Sequence, residues 1–261
     1  MSDSVRLEFL GTGTSNGVPV VGCHCAVCTS DNPKNQRYRP SVVVDWRGKR
    51  LLIDTPPELR LQLLRARISY LDALLYTHTH ADHLFGLDDI RAINQLRGGP
   101  LPVYGSVETL ERLRQQFYYV FVATPAAGGK PSLDLREIAP LDGPFQAEGV
   151  PVQAVPIMHG STPVLGFRFG NLAYLTDTNQ IPESSFQLLQ GLDILVIDAL
   201  REARHPTHFS VGEALEVTRR LRPRRTYFTH ICHDLEHESA NQRLPAGVEV
   251  AFDGLVVETQ F

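Results

Sequence analysis

The stretch "THTHADHLFG" at residues 77–86 places three histidines and an aspartate within six positions, directly after the apolar run "ALLY". Histidines crowded this closely repel one another once protonated, so packing alone does not account for them. Neutral imidazole and carboxylate together suit Zn²⁺, Mn²⁺ or Fe²⁺. His78 and His80 alternate by two, which aims both side chains to one side if the backbone stays extended, and Asp82 and His83 follow on the turn. Four donors are too few for a pair of ions, and more are available where other apolar strands stop. His159 follows "VPVQAVPIM", Asp177 closes "LAYLTD" and His230 closes "RRTYFTH". A rigid strand end is a usual support for a site, although Asp177 also opens the turn "TDTNQ".

Around these residues the chain reads as α/β. Apolar segments rich in β-branched and aromatic residues recur, among them "VRLEFL", "SVVVDW", "RLLID", "VLGFRFG", "DILVIDA" and "VEVAFDG". Between them "PELRLQLLRARI", "GLDDIRAINQLR", "SVETLERLRQQF" and "SVGEALEVTRRL" repeat apolar residues at helical intervals. The turn "DWRGKR" predicts an antiparallel hairpin, which excludes a purely parallel ladder and favours two mixed sheets covered by outer helices. The 261 residues suit one domain over 1–261. Residues 118–132, "YYVFVATPAAGGKPS", predict an irregular segment, a lid or a dimer contact, with Tyr118, Tyr119 and Phe121 read first as core packing.

A net charge of −4 argues against a broad electrostatic grip on extended nucleic acid and for a small substrate. The basic run "RRLRPRR" at 219–225 closes a predicted helix, where arginines favour the C-terminal end of the dipole. No apolar run reaches the ~18 residues that span a bilayer, and the first residues lack a signal-peptide pattern, so no membrane partner and a cytoplasmic location are expected.

Of four cysteines, Cys23, Cys25 and Cys28 share "GCHCAVC". In a reducing compartment thiolate ligation of zinc explains them better than disulfides, and a tetrahedral site needs a fourth ligand. His233, three residues beyond His230, and Cys232 both qualify. The loop at 22–29 would then be a zinc-binding staple. The glycine-rich "GTGTSNGVP" fits neither common nucleotide-binding pattern and reads as a tight loop.

The pattern His78, His80, Asp82, His83, then His159, Asp177 and His230, resembles the metallo-β-lactamase superfamily, from "LGTGTSNGVP" to "FDG". The resemblance implies an αββα sandwich in which His78, His80 and His159 hold one metal, Asp82, His83 and His230 the other, and Asp177 bridges them. Aspartate rather than cysteine at 177 points toward phosphodiesterase-type members. Asp54 matches an aspartate the superfamily keeps near its first histidines; it would orient a ligand, although a plain turn residue is an equal reading. The early Cys-x-Cys-x-x-Cys with His233 resembles the phosphoribosyl cyclic phosphodiesterases of phosphonate breakdown. This implies a structural Zn²⁺ on Cys23, Cys25, Cys28 and His233, two active-site divalent metals (Mn²⁺ or Zn²⁺), and a homodimer. It also matches His208 in "HPTHFSVGEAL" to the histidine that protonates the leaving group.

The expected activity is therefore a hydrolase for small cyclic phosphodiesters, ribose cyclic phosphates or 2′,3′-cyclic nucleotides, with His208 and Asp177 catalytic. An RNA 3′-processing nuclease and a quinone-cofactor biosynthesis enzyme of the same superfamily are the alternatives. His24 and His237 read as surface residues, His205 as a near neighbour of His208, and Ser210 as a helix N-cap.

Overall fold

The computed structural model describes residues 3–123, 129–139 and 143–261. Its first sheet holds β1 (Ser4–Gly11), β2 (Ser41–Trp46), β3 (Lys49–Ile53), β4 (Ala73–Leu75), β5 (Leu101–Gly105), β6 (Leu133–Glu137) and β14 (Val256–Gln260), in the order β14-β1-β2-β3-β4-β5-β6. The second holds β7 (Phe145–Ala147), β8 (Val150–His159), β9 (Thr162–Phe169), β10 (Leu172–Leu175), β11 (Ile194–Asp198), β12 (Arg225–Thr229) and β13 (Val248–Val250), in the order β13-β12-β11-β10-β9-β8-β7. Helices α1 (Leu59–Arg65), α2 (Ala81–Leu84), α3 (Ile90–Arg97), α4 (Val107–Gln116) and α5 (Tyr118–Phe121) belong to the first half. Helices α6 (Glu183–Leu188), α7 (Val211–Leu221) and α8 (His237–Arg243) belong to the second.

Each sheet is buried on both faces, which is why its central strands are apolar nearly throughout. Val42, Val44, Leu51, Ile53, Ile194 and Val196 meet in the layer between the sheets. Their alternate neighbours face the helices: Val43 and Leu52 pack with α1 and α3 residues, Leu195 and Ile197 with α6 and α7 residues. The result is the αββα sandwich of two mixed sheets that the strand pattern predicted.

Both sheets contain a parallel run, β3–β6 in the first and β10–β13 in the second. Ligands of open α/β sheets gather at the carboxyl ends of such strands. Here Asp54 follows β3, His78 and His80 follow β4, Asp177 follows β10 and His230 follows β12. The predicted hairpin joins β2 and β3 through Arg47 (φ 48°) and Gly48 (φ 80°), the paired left-handed residues of a two-residue turn. Gly86, the last residue of the opening motif, has a separate reason to be glycine. A Cβ there would fall 1.9 Å from the Pro56 carbonyl oxygen, so only glycine lets α2 seat against the end of β3.

Four short strands, β5, β6, β7 and β14, were not apparent in the sequence pattern. In the segment 118–132, Tyr118–Phe121 form a helical turn, and residues 124–128 of the predicted lid lie outside the described residues. Tyr118, Tyr119 and Phe121 are exposed, which corrects their reading as core; the Tyr119 hydroxyl donates to Asp88 at 2.6 Å. The basic run is occupied structurally: Arg220 stacks over Phe186, and Arg224 and Arg225 pair with Asp193.

Candidate metal centre

The opening motif leaves its strand early. β4 ends at Leu75, His80 occupies the N-cap of α2 with extended backbone, and Asp82 and His83 lie in the first turn of that helix. The strand and the helix turn bring all four donors to one place. Two overlapping groups result among the described residues: His78, His80, His159 and Asp177, and Asp82, His83, Asp177 and His230, with donor atoms in each lying within 4.8 Å of one another. Asp177 belongs to both. His80 is exposed and the other six are buried, so the site opens on the His80 side.

Three of the imidazoles have a partner behind them. His83 Nδ1 donates to Asp54 Oδ2 at 2.7 Å, and His159 Nδ1 donates to the Thr207 carbonyl at 2.8 Å. His78 Nδ1 lies 3.0 Å from Thr77 Oγ1. A hydrogen bond on Nδ1 fixes the tautomer that leaves Nε2 as a ligand. Asp54 is fully buried and also accepts from the Thr77 amide and hydroxyl, so it orients the His83 ring as well as occupying a corner. Asp54, Asp177 and His230 all have left-handed backbone (φ 64°, 49° and 61°). Such geometry costs a non-glycine residue of the order of 1 kcal/mol and concentrates at functional sites.

Donor chemistry tests whether cations fit here. His78 Nε2, Asp82 Oδ2, His83 Nε2 and His230 Nε2 are buried without a hydrogen-bond partner among the described residues. His230 Nε2 and His83 Nε2 approach Asp177 Oδ1 to 2.8 and 3.2 Å, yet the atoms are not aligned as hydrogen bonds; they converge on shared space. Burial alone would forbid so many orphaned polar atoms. Burial also opposes charge on His230, but Asp177 and Asp82 overcome it and raise that imidazole to about 10. His83 is raised for the same reason, by Asp177, Asp82 and Asp54 against its burial. Asp177 is held well below the carboxylate range by His230 and His83, again against burial. His78 is pushed well below the imidazole range by burial and by His83. The carboxylates thus favour positive charge beside His83 and His230, a charge that divalent ions would supply in place of protons.

A third group adds a residue the sequence reading passed over. Asp198, at the end of β11, receives a 2.7 Å hydrogen bond from His208 Nδ1 and a 3.0 Å bond from the Thr178 amide. His208 is buried, with ring centroids 4.7 Å from both His159 and His230. His205 is half-buried beside it, 5.1 Å between centroids. Ser210 caps α7 in a capping box with Glu213 and so fixes the residues that follow His208.

At the rim, His233 Nδ1 lies 3.2, 3.6 and 3.4 Å from Cys23, Cys25 and Cys28 Sγ, and these four form a donor group of their own. Three thiols and one imidazole are the set a structural zinc takes. Cys232 is buried, with its sulfur accepting from the Asp234 amide, and stands outside the group. His24 is exposed as read. His237 is not: it is buried, donates its amide to Asn35 Oδ1 at 2.9 Å and lies with Nδ1 3.2 Å from Arg37, which corrects the surface assignment.

The model of the beta-lactamase superfamily domain matches residues 49–231, most of this chain and most of the donors just described. This chain belongs to the metallo-β-lactamase superfamily. A crystal structure of a new diphosphatase from the PhnP family is 43% identical, covers 98% of this chain and 97% of its own, and superposes with a TM-score of 0.91. The zinc-bound PqqB of Methylobacterium extorquens shares the fold at 19% identity and a TM-score of 0.74 over 97% of this chain and 99% of its own. Among curated relatives, the octanoyltransferase of Porphyromonas gingivalis is 39% identical over 96% of this chain, but the chain spans about half, 51%, of that protein. The ribonuclease Z of Anoxybacillus flavithermus is 24% identical over 90% of each chain. As a member of the metallo-β-lactamase superfamily with these hydrolase relatives, the chain is a metal-dependent hydrolase. No helix among the described residues is long and apolar enough to cross a membrane.

Proposed function

We propose that this metallo-β-lactamase-superfamily chain is a dinuclear-metal phosphodiesterase that hydrolyses small cyclic phosphodiesters, ribose cyclic phosphates or 2′,3′-cyclic nucleotides. The observation that carries the reading is His208, buried against His159 and His230 and locked through Nδ1 to Asp198. With Nδ1–H committed to a carboxylate, Nε2 is the atom left to carry a proton to a departing oxygen. Ring opening of a cyclic ribose phosphate expels an alkoxide, which needs such a proton, and a positioned imidazole is worth ~10²–10⁴ in rate. His78, His80 and His159 would hold one ion, Asp82, His83 and His230 the second, with Asp177 between them. Two divalent ions in these positions supply an acidified water and charge neutralisation at the phosphoryl oxygens. Mn²⁺ or Zn²⁺ suits these nitrogen and oxygen donors, and Zn²⁺ suits the thiolate set of Cys23, Cys25, Cys28 and His233.

The 43% identity to a PhnP-family diphosphatase supports phosphoryl chemistry on a small molecule. Similarity to ribonuclease Z favours a second reading, an RNA 3′-processing nuclease. The deciding experiment offers Mn²⁺-loaded protein ribose cyclic phosphate, 2′,3′-cyclic nucleotides, a linear diester and precursor transfer RNA. Preference for the cyclic small molecules is the expected result. Activity confined to RNA would replace this reading with the nuclease. Metal-loaded protein that hydrolyses none of them, but consumes oxygen when loaded with iron, would point to the quinone-cofactor branch.

A further inference from the structure

His230 is held differently from the other buried imidazoles of the centre. His78, His83 and His159 each have a partner on Nδ1, whereas His230 is fully buried and its Nδ1 has none among the described residues. Its support comes through the next residue. The Ile231 amide donates to the Thr12 carbonyl at 2.9 Å, and the Ile231 carbonyl accepts from the Thr14 amide at 3.1 Å, a parallel bridge between the end of β12 and the loop after β1. The aim of the His230 ring is therefore only as firm as residues 12–14.

Arg37 fastens that loop. At 3% exposure it is the one buried arginine among the described residues. Its Nη1 donates to Thr12 Oγ1 at 2.8 Å and to the Ala251 carbonyl at 2.6 Å, and its Nη2 donates to His237 Nδ1 at 3.2 Å. Thr12 Oγ1 in turn donates to Asp253 Oδ1 at 2.7 Å, and Asp253 Oδ2 accepts from the Tyr38 amide at 2.8 Å. All three acceptors of Arg37 are neutral, so no carboxylate contact offsets the cost of burying its charge. An apolar side chain of similar volume commonly serves stability as well, whereas only a planar fork reaches a loop, the residue after β13 and α8 at once. The other donors stand apart from this clamp: His159 ends β8, and α2 is tied to the end of β3, where the Thr55 amide donates to the His83 carbonyl at 2.7 Å.

We propose that Arg37 is the positioning residue of His230, acting through Thr12 and Ile231, and that it governs the ion on Asp82, His83 and His230 while leaving the ion on His78, His80 and His159 unchanged. The inference rests on the ligand assignment of the proposed function and adds to it a residue outside the donor set.

The test is a Mn²⁺ titration of the full chain, read from the paramagnetic resonance of the free ion. Mn²⁺ suits imidazole and carboxylate rather than thiolate, so the cysteine set stays out of the count. Arg37→Met should weaken one of two bound ions by about tenfold, the low end for residues that support metal ligands, and spare the other. Thr12→Val, which removes the hydroxyl that Arg37 holds, should weaken the same ion. Arg37→Lys, which keeps one donor head, should recover part of the loss. In a His230→Ala background Arg37→Met should change neither binding step, whereas a general structural role would make the two losses add. Equal weakening of both ions, unchanged binding by folded Arg37→Met, or a loss that persists in full without His230 overturns the inference, while an ion lost from His230→Ala itself leaves the ligand assignment standing. Where Arg37→Met does not fold, Thr12→Val in the same double-mutant cycle decides. A His230→Ala variant that binds two ions as tightly as the wild type overturns both.

Discussion

Two donor clusters meet within three residues, at His230 and His233, and they are built in opposite ways. Apart from His80 the histidine–aspartate cluster is buried, at strand ends and in the first turn of α2, and His83, His159 and His208 are each held by a separate acceptor, Asp54, the Thr207 carbonyl and Asp198. The cysteine cluster is half-buried, on turns between Val18 and Pro33 that belong to no strand or helix, and its one distant member is His233. The sheets fix the positions of the first. The second rests on turns alone, so an ion bound there would also add to folding.

The sharpest way to break this contrast is Asp177→Ala. Because Asp177 belongs to both halves of the buried cluster, turnover of a diester should fall by about 10³-fold or more, with metal content by elemental analysis reduced. A variant that keeps both ions and most of its turnover would remove Asp177 from the centre of the site. His208→Ala comes next, with a loss of ~10²–10³ in turnover and metal content retained. A nitrophenyl leaving group, which departs without a proton, should suffer less; loss of metal in this variant would make His208 a ligand instead.

Asp54→Asn keeps the corner but weakens the acceptor behind His83, and should cost ~10–100-fold in metal affinity by competition with a chelator. Cys25→Ser addresses the other side of the comparison. It should lower the thermal midpoint and expose residues 19–32 to protease, while turnover drops by less than about tenfold because the strand ends still hold the donors. Collapse of activity to the Asp177→Ala level would show the two clusters to be one unit.

The mildest effect concerns neither cluster. Burial, with Arg37 and Lys34 nearby, lowers His237 to about 4 in the folded chain. An unfolded histidine titrates near ~6.5, so below that pH the unfolded chain binds the extra proton first. The stability His237 contributes as a neutral group is therefore complete above pH ~6.5 and is lost as pH falls toward about 4. Denaturant titrations should show this decline in wild type and a shallower one in His237→Gln; equal slopes would remove His237 as the cause.

What could be read from sequence follows the same division. His78, His80, Asp82 and His83 announce themselves by crowding, and His159, Asp177 and His230 by ending apolar strands. Asp198 ends "DILVIDA" in the same manner, and that signal was available, but a single aspartate after a strand is also a common turn. The role of His208 was legible only by resemblance, because its partner lies ten residues away across a loop. His237 was misread because Asn35 and Arg37, which bury it, come from 200 residues earlier. Two mixed sheets were legible from the apolar segments, whereas short strands such as β7, three residues long, carry too few residues to show a period.

Asp54, Asp177 and His230 each leave their strand through a left-handed corner, and none of them belongs to a hydrophobic cluster. Chemistry and folding are thereby inherited on separate residues. Solved structures below 20% identity keep the fold, so the interior tolerates wide change, while the corners that carry these donors lie outside it and the walls beyond them can differ without repacking the interior. A lineage built this way changes its diet before it changes its skeleton.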